Sequence, residues 1–134
     1  MDHELASRPL RQRSGKTVYH YFQQALRNSS NVLTDLQSVL VSDENGNCAA
    51  FEVNQCEGKV TRVRFKCTTC MTLVALCEHI AELAQGNSIA EAWEIDCKML
   101  LQLHPEVPAR LRNRADLASK AFHGAIEKSY RESQ

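Results

Sequence analysis

The sequence predicts an α+β fold in which helices pack against a small antiparallel β-sheet of about three strands. Two patterns predict it. Apolar and polar residues alternate over residues 49–67, which is the period of strands with one buried face. On both sides of this segment, apolar residues recur at spacings of three and four, which is the period of amphipathic helices. A chain of 134 residues that is 43% hydrophobic is large enough to bury one core.

The N-terminal part is predicted to begin with a flexible tail. Residues 1–16 are polar and include Pro9 and Gly15, and a single domain is expected over residues 17–134. Over residues 17–40 the helical period is interrupted at 28–31, which predicts two helices, or one helix and a broken second. Residues 36–41 fit either a helix or the third strand, and the sequence leaves both open.

The two remaining strands are predicted to form a hairpin. Glu57 and Gly58 lie between them and indicate a tight turn. The residues that alternate toward the predicted core are Ala49, Phe51, Val53, Val63, Phe65 and Cys67. The residues between them on the second strand are Arg62, Arg64 and Lys66, so the opposite face of the hairpin is predicted to contact solvent.

A helix over residues 72–84 is predicted to follow the hairpin directly. Thr69 is the expected N-cap, and Gly86 suits the left-handed residue after the helix. Its apolar stripe includes Cys77, which is expected in the core. His79 is expected on the exposed face of this helix.

Three further helices are predicted in the C-terminal part. Ser88 and Glu91 have the spacing of a capping box, and Asp96 can cap the next short helix. Prolines at 105 and 108 end that helix, and a last helix is expected over residues 109–131.

Bulk properties exclude several functional classes. Lys+Arg and Asp+Glu both number 16, so no net charge favours a nucleic-acid partner. No apolar run approaches the roughly 20 residues needed to cross a membrane, and the N-terminus lacks the layout of a signal peptide. We therefore expect a cytoplasmic, reducing location in which the six cysteines are free thiols or ligands. No Ser-His-Asp set or phosphate-binding glycine loop indicates a turnover enzyme.

The most informative motif is Cys67-Thr68-Thr69-Cys70, which joins the predicted hairpin to the helix over 72–84. The N–H groups of the first helical turn and the positive end of the macrodipole lie at that position. This setting favours a thiolate, which is the form that binds metals and attacks sulfur. Cys70 is therefore the first candidate for chemistry.

Six segments of the chain follow one another in an informative order: 18–21, 51–54, 57–58, 63–66 with Cys70, 85–92 (QGNSIAEA) and 117–130. In this order they resemble the NifU/IscU-type iron–sulfur cluster assembly scaffolds. Residues 85–92 are similar to the family's GKSLEEA segment. The resemblance covers residues 17–130 and implies one NifU/IscU-like domain, with the same fold as the SufE-type sulfur acceptors.

The resemblance also implies a cluster-binding site that keeps only part of the family's ligand set. Such scaffolds hold a nascent cluster with three cysteines, helped by an aspartate and a histidine. Cys70 corresponds to the second cysteine. The first falls at the acidic pair Asp43-Glu44, and the family's His-Cys pair becomes Arg112-Asn113. Asp43, Arg112 and Asn113 are therefore the expected neighbours of a bound group.

The metal-ligand candidates are Cys70, Cys67 and Cys48. Cys67 precedes Cys70 by a spacing that suits metal chelation, although it fits a core position equally well. Cys48 lies near the loop that carries the family's first cysteine, and joining Cys70 requires a local deletion relative to the family. The expected cargo is iron or an iron–sulfur cluster, with zinc as the other metal that thiolates suit.

Three functions remain open from the sequence. The first is a scaffold-like protein that works with a cysteine desulfurase and other iron–sulfur assembly proteins. The second is a SufE-like acceptor that carries a persulfide on Cys70. The third is a non-catalytic regulator of the assembly machinery. None of them requires a turnover enzyme.

Overall fold

The computed structural model describes residues 16–28 and 40–132. Most of the predicted N-terminal tail, and all but the end of the segment over 36–41, lie outside the described residues. In chain order the elements are α1 (Val18–Arg27), β1 (Val41–Ser42), β2 (Cys48–Cys56), β3 (Lys59–Cys67), α2 (Met71–Ala84), α3 (Ile89–Trp93), α4 (Cys97–Leu103) and α5 (Asn113–Glu132). This order confirms the predicted α+β fold.

The three strands form one antiparallel sheet in the order β1-β2-β3. Phe51 pairs with Phe65 and Val53 pairs with Val63, so the predicted apolar positions of both strands share one face. The hairpin turn has Glu57 at φ 54° and Gly58 at φ 78°. Two left-handed residues in a row form the type of two-residue turn that fits the right-handed twist of strands. The predicted hairpin is confirmed.

Helices α2 and α5 cover the apolar face of the sheet. Within the sheet, helix α5 packs mainly on β2, and α2 packs mainly on β3. Phe122 of α5 meets the Phe51 ring edge-to-face, with ring centroids 5.4 Å apart. Leu73, Leu76 and Ile80 of α2 are fully buried in the same core. Each large apolar side chain buried there stabilises the fold by about 1.5–3 kcal/mol.

The helix ends follow the local signals with two exceptions. Ser88 and Glu91 form the predicted capping box, and the side chain of Asp96 accepts a hydrogen bond from the N–H of Met99. The predicted cap at Thr69 is wrong, because the chain stays extended for one more residue and Cys70 is the N-cap of α2.

The second exception is the start of the last helix, which was expected at residue 109. The N–H of Leu111 bonds to the carbonyl of Pro108, and that of Arg112 bonds to the carbonyl of Ala109. These bonds span three residues, so Ala109–Leu111 is a 3₁₀ turn and α5 begins at Asn113.

Helix α1 docks on a second side of α2. The hydroxyl of Tyr21 donates to Oε2 of Glu82 over 2.6 Å, and the side chain of Gln24 donates to Oε2 of Glu78 over 2.9 Å. The Tyr21 ring stacks on His79 with centroids 4.1 Å apart. The predicted exposure of His79 is therefore wrong: the residue is fully buried, because α1 covers the face of α2 that was expected to contact water.

Within residues 16–28 and 40–132, none of the helices combines the length and the apolar character that a membrane crossing requires.

Candidate functional site

Cys70 is the last extended residue before α2. Its carbonyl accepts the first hydrogen bond of the helix from the N–H of Val74, over 2.9 Å. Its side chain makes no capping hydrogen bond, so the sulfur does not cap the N-terminus of the helix. The thiol is half-buried at the N-terminal end of a 14-residue helix, where the macrodipole favours negative charge.

Cys48 lies against the loop that connects Cys67 to Cys70. Its N–H donates to Oγ1 of Thr68 over 2.8 Å, and its carbonyl accepts from the N–H of Thr68 over 3.0 Å. Its sulfur is 3.5 Å from the same hydroxyl oxygen. The start of β2 and the end of β3 therefore bring Cys48, Cys67 and Cys70 to one end of the sheet.

Cys67 differs from Cys48 and Cys70 because it belongs to the core side of β3. It packs against the main hydrophobic core, which includes Cys77 of α2. Cys77 is fully buried, as predicted. Burial raises the pKa of the Cys77 thiol well above its ordinary value.

The expected acidic site residue, Asp43, holds the turn that precedes β2. Its Oδ1 accepts hydrogen bonds from the N–H groups of Asn45 and Asn47, over 2.8 and 2.9 Å. Desolvation acts to raise the pKa of Asp43, but the hydrogen bonds and the positive charge of Arg114 outweigh it and hold the pKa below its ordinary value. Asp43 therefore stays ionised.

A cavity of about 520 Å³ separates this turn from the first turns of α5. Its described lining residues are Val41, Ser42, Asp43, Glu44, Asn45, Asn113, Asp116, Leu117 and Lys120. Two of the expected site residues, Asp43 and Asn113, thus face one space although 70 positions separate them. Cys70 and Arg112 are not among the residues that line it.

Arg112 is exposed, and its positive charge acts on the thiol of Cys97. Its charge lowers the pKa of Cys97, although burial and the neighbouring carboxylates raise that pKa overall. The arginine that acts on Asp43 is Arg114. The sequence register placed Arg112 beside the expected bound group, whereas the structure places the charge of Arg114 near Asp43. The helical spacing of Asn113, Asp116 and Lys120 is the signal that places them on the cavity wall.

The described side chains contain no group of three or more His, Cys, Asp or Glu that is arranged to hold a metal ion. Cys48, Cys67 and Cys70 are nevertheless the soft donors that iron–sulfur clusters and zinc require. The donor chemistry at this end of the sheet fits such a cargo, although Cys67 also packs against the hydrophobic core.

Comparison with known proteins identifies the family of this chain. A family model described as the NifU-like N terminal domain matches residues 28–134. The chain belongs to this family. The match spans β1 to α5 and confirms the resemblance inferred from the ordered segments, which places the protein among the iron–sulfur cluster assembly scaffolds.

The fold of the NifU-like domain also has a solved counterpart. A crystal structure described as that of a hypothetical protein superposes with a TM-score of 0.58 and 17% identity, covering 81% of this chain and 98% of its own. At that identity the likeness shows the fold alone. Among proteins with curated descriptions, none matches this chain.

Proposed function

We propose that this NifU-like protein is a scaffold-like component of iron–sulfur cluster assembly that uses Cys70 as its principal thiol. The observation that carries the proposal is the position of Cys70, whose free side chain lies at the start of α2 in a chain of this family. A cysteine thiolate at this position can accept sulfur or ligate iron.

Cys67 and Cys48 are the proposed additional ligands for iron, a cluster or zinc. Both border the four-residue loop that ends at Cys70, and thiolates are the ligands that such cargo prefers. Asp43, Arg112 and Asn113 are proposed to act from the turn before β2 and the start of α5. Asp43 is kept anionic by its turn hydrogen bonds, so it can add an oxygen ligand.

The second candidate is a SufE-like acceptor that carries a persulfide on Cys70. The absence of a three-donor group among the described side chains favours it, because a persulfide requires one thiol only. In this role Cys70 attacks the sulfane sulfur of a desulfurase persulfide, takes that sulfur and leaves the donor as a thiol. The proposed partner in both cases is a cysteine desulfurase in a reducing compartment such as the cytoplasm.

One anaerobic experiment tests both candidates. The protein is incubated with a cysteine desulfurase, cysteine and ferrous iron, and then freed of small molecules. Iron, acid-labile sulfide and sulfane sulfur are measured in the wild type, in Cys70→Ser and in Cys56→Ser. Cys56 is the matched control, because it is exposed at the end of β2 on the hairpin side of the sheet.

If the protein is a scaffold, the wild type should acquire iron and labile sulfide, Cys70→Ser should lose both, and Cys56→Ser should retain both. If the protein is a sulfur carrier, sulfane sulfur should be found on Cys70 without iron. Wild-type protein that acquires neither would contradict both chemical functions and leave a regulatory role in the assembly machinery.

A further inference from the structure

The face of the sheet opposite the hydrophobic core carries a row of basic side chains on β3. Val63 and Phe65 are buried in the core. Because successive side chains of a strand point to opposite faces, Arg62, Arg64 and Lys66 point away from that core. Arg62 and Lys66 are exposed and Arg64 is half-buried, so these three residues form a basic row that solvent reaches.

The neighbouring strand β2 supplies one opposing charge. The residues of β2 that pair with the basic row are Ala50, Glu52 and Asn54. Glu52 forms an ion pair with Arg64. At these positions the face therefore carries three cations and one anion, in a chain whose formal net charge is zero. Such a local excess of positive charge attracts anionic partners.

The backbone of β3 is already used along the hairpin half of its outer edge. β3 is an outer strand of the sheet. The N–H of Val60 donates to the carbonyl of Asn87 over 2.8 Å, and the N–H of Val63 donates to Oε1 of Gln85 over 3.1 Å. Because these backbone groups are occupied, a partner is recognised there by the side chains of the basic row and not by strand addition.

The basic row leads to the candidate site. Lys66 directly precedes the loop Cys67–Cys70, and Cys48 donates its N–H to Oγ1 of Thr68 in that loop over 2.8 Å. A segment that lies along the row from Arg62 to Lys66 therefore ends beside the candidate thiols.

The chemistry of this face favours an acidic protein over other anionic partners. Proteins that bind single-stranded nucleic acid add aromatic side chains on which bases stack, and binding in a membrane surface needs large apolar side chains. The six paired positions of the face include neither kind, and the carboxylate of Glu52 repels phosphate groups. Same-side residues of an extended chain recur at about 7 Å, so carboxylates at alternate positions of an extended segment match the spacing of the cations.

We propose that the basic row is a docking surface for an extended acidic segment of a partner protein. The inference goes beyond the proposed function, because it assigns a class of partner to side chains that take no part in that function. It rests on the proposed function in one respect, that a segment bound along the row is delivered to reacting thiols. Binding itself needs only the charges of the row.

Fluorescence anisotropy with the reduced, full-length protein tests the docking. The probes are a fluorescein-labelled peptide of alternating Glu and Thr, an uncharged control peptide of alternating Gln and Thr, and an oligothymidylate of equal length. Arg62→Glu with Lys66→Glu reverses two charges of the row. Lys98→Glu with Arg110→Glu is the matched control, because it reverses two exposed charges on α4 and the 3₁₀ turn. Circular dichroism checks the fold of each variant.

The wild type should bind the Glu-Thr peptide, more weakly as salt rises, and should not bind the Gln-Thr peptide. The row variant should bind the Glu-Thr peptide at least about tenfold more weakly. The control variant should stay within about twofold of the wild type. Carbodiimide coupling, which joins carboxylates to nearby amines, should link the peptide to Lys66 and not to Lys98, as read by peptide mass spectrometry.

Equal weakening in the two variants would mean that the peptide follows positive charge in general, and it would overturn the proposal. Row-dependent binding of oligothymidylate that is tighter than that of the peptide would overturn it in favour of a nucleic acid. Absence of peptide binding at low salt would also overturn it.

Cys70→Ser separates the docking from the proposed function, because this variant should bind the Glu-Thr peptide as tightly as the wild type. If the peptide docks on the row and Cys70 takes up neither sulfur nor iron, the docking surface stands and the proposed function fails. If Cys70 reacts as proposed and the peptide does not bind, the reverse holds.

Discussion

His79 Nδ1 lies 2.6 Å from Nε2 of His104, and both rings are buried beneath α1. The other nitrogen of His104, Nδ1, is 3.3 Å from Oε2 of Glu106, which also accepts the N–H of Val18 at the start of α1. A neutral imidazole carries one proton, so His104 donates from Nδ1 to the carboxylate and accepts at Nε2 from Nδ1 of His79. Among the described residues, Nε2 of His79 is left without a hydrogen-bond partner.

Acid should therefore destabilise the fold through this pair. Burial lowers the pKa of His79 from 6.5 to about 3, and it also lowers the pKa of His104 against the opposing effect of Glu106. Below pH 6.5 the unfolded chain takes up protons that the folded chain does not, so stability is complete above pH 6.5 and falls as pH drops toward 3. Between pH 6.5 and 5, His79 should account for a loss of about 2 kcal/mol.

Urea unfolding at pH 7 and pH 5 measures this loss. His20→Gln is the control, because His20 lies on the exposed side of α1 and its replacement should leave the pH dependence unchanged. A free energy of unfolding that is equal at the two pH values would contradict the neutral, buried pair.

The attachment of α1 should depend on the Tyr21 hydroxyl. Tyr21→Phe keeps the ring on His79 and removes the 2.6 Å hydrogen bond to the carboxylate of Glu82. Hydrogen bonds to charged groups contribute about 1.5–3 kcal/mol, so a loss of that order is expected in the free energy of unfolding. Tyr19→Phe is the matched control on the same helix, since Tyr19 is 60% exposed and its hydroxyl accepts a hydrogen bond from the side chain of Gln23.

Thermal unfolding followed by circular dichroism distinguishes the two variants. If the melting temperature falls as much in Tyr19→Phe as in Tyr21→Phe, the contact with Glu82 is not what holds α1 on α2.

The thiols should react in a defined order. Cys70 is expected to react first with limiting iodoacetamide, because its half-buried side chain makes no capping hydrogen bond at the start of α2. Cys77 should react last, since it is fully buried and its pKa is raised well above the ordinary value, and Cys97 should also be slow because its pKa is raised. Cys56 is exposed at the hairpin end and tests whether access alone decides the order.

Peptide mass spectrometry after brief labelling reads out the six positions. Labelling of Cys77 ahead of Cys70 would contradict the placement of both residues. Labelling of Cys56 ahead of Cys70 would show that access outweighs the helix N-terminus.

Local signals explain which parts of the fold could be predicted. The hairpin follows from a period of two and a two-residue turn, and the caps at Ser88 and Asp96 follow from side chains within three positions of the N–H groups they accept from. The contact of α1 with His79 depends instead on packing between helices that lie more than 50 positions apart, which no local period encodes. The exposure of His79 was predicted wrongly for that reason.

For the candidate site too, the sequence could indicate the features that depend on neighbouring residues and not those that depend on distant ones. The sequence could indicate Cys70 because the strand, the thiol and the helix are consecutive. The shared cavity of Asp43 and Asn113 could be anticipated only through the family register. The packing of Cys67 against the core was left open because a cysteine on the apolar face of a strand suits a core position as well as a ligand position.

Restoring the family pair at the start of α5 should increase metal binding. Arg112→His with Asn113→Cys returns an imidazole and a thiolate to the helix start beside the cavity of Asp43. Both groups bind zinc and iron far better than a guanidinium or an amide. Zinc affinity, measured by competition with a chromophoric chelator, should rise by about tenfold or more relative to the wild type.

The increase in zinc affinity should require Cys70 if the site implied by the family resemblance exists. Adding Cys70→Ser to the double variant should remove the increase, whereas Cys56→Ser should not. Arg110→Cys, in the exposed 3₁₀ turn before α5, controls for the mere addition of a thiol and should bind zinc no more tightly than the wild type. An increase that survives the loss of Cys70 would mean that the start of α5 binds metal with Asp43 and its neighbours alone, and that the thiol at the start of α2 lies outside the site.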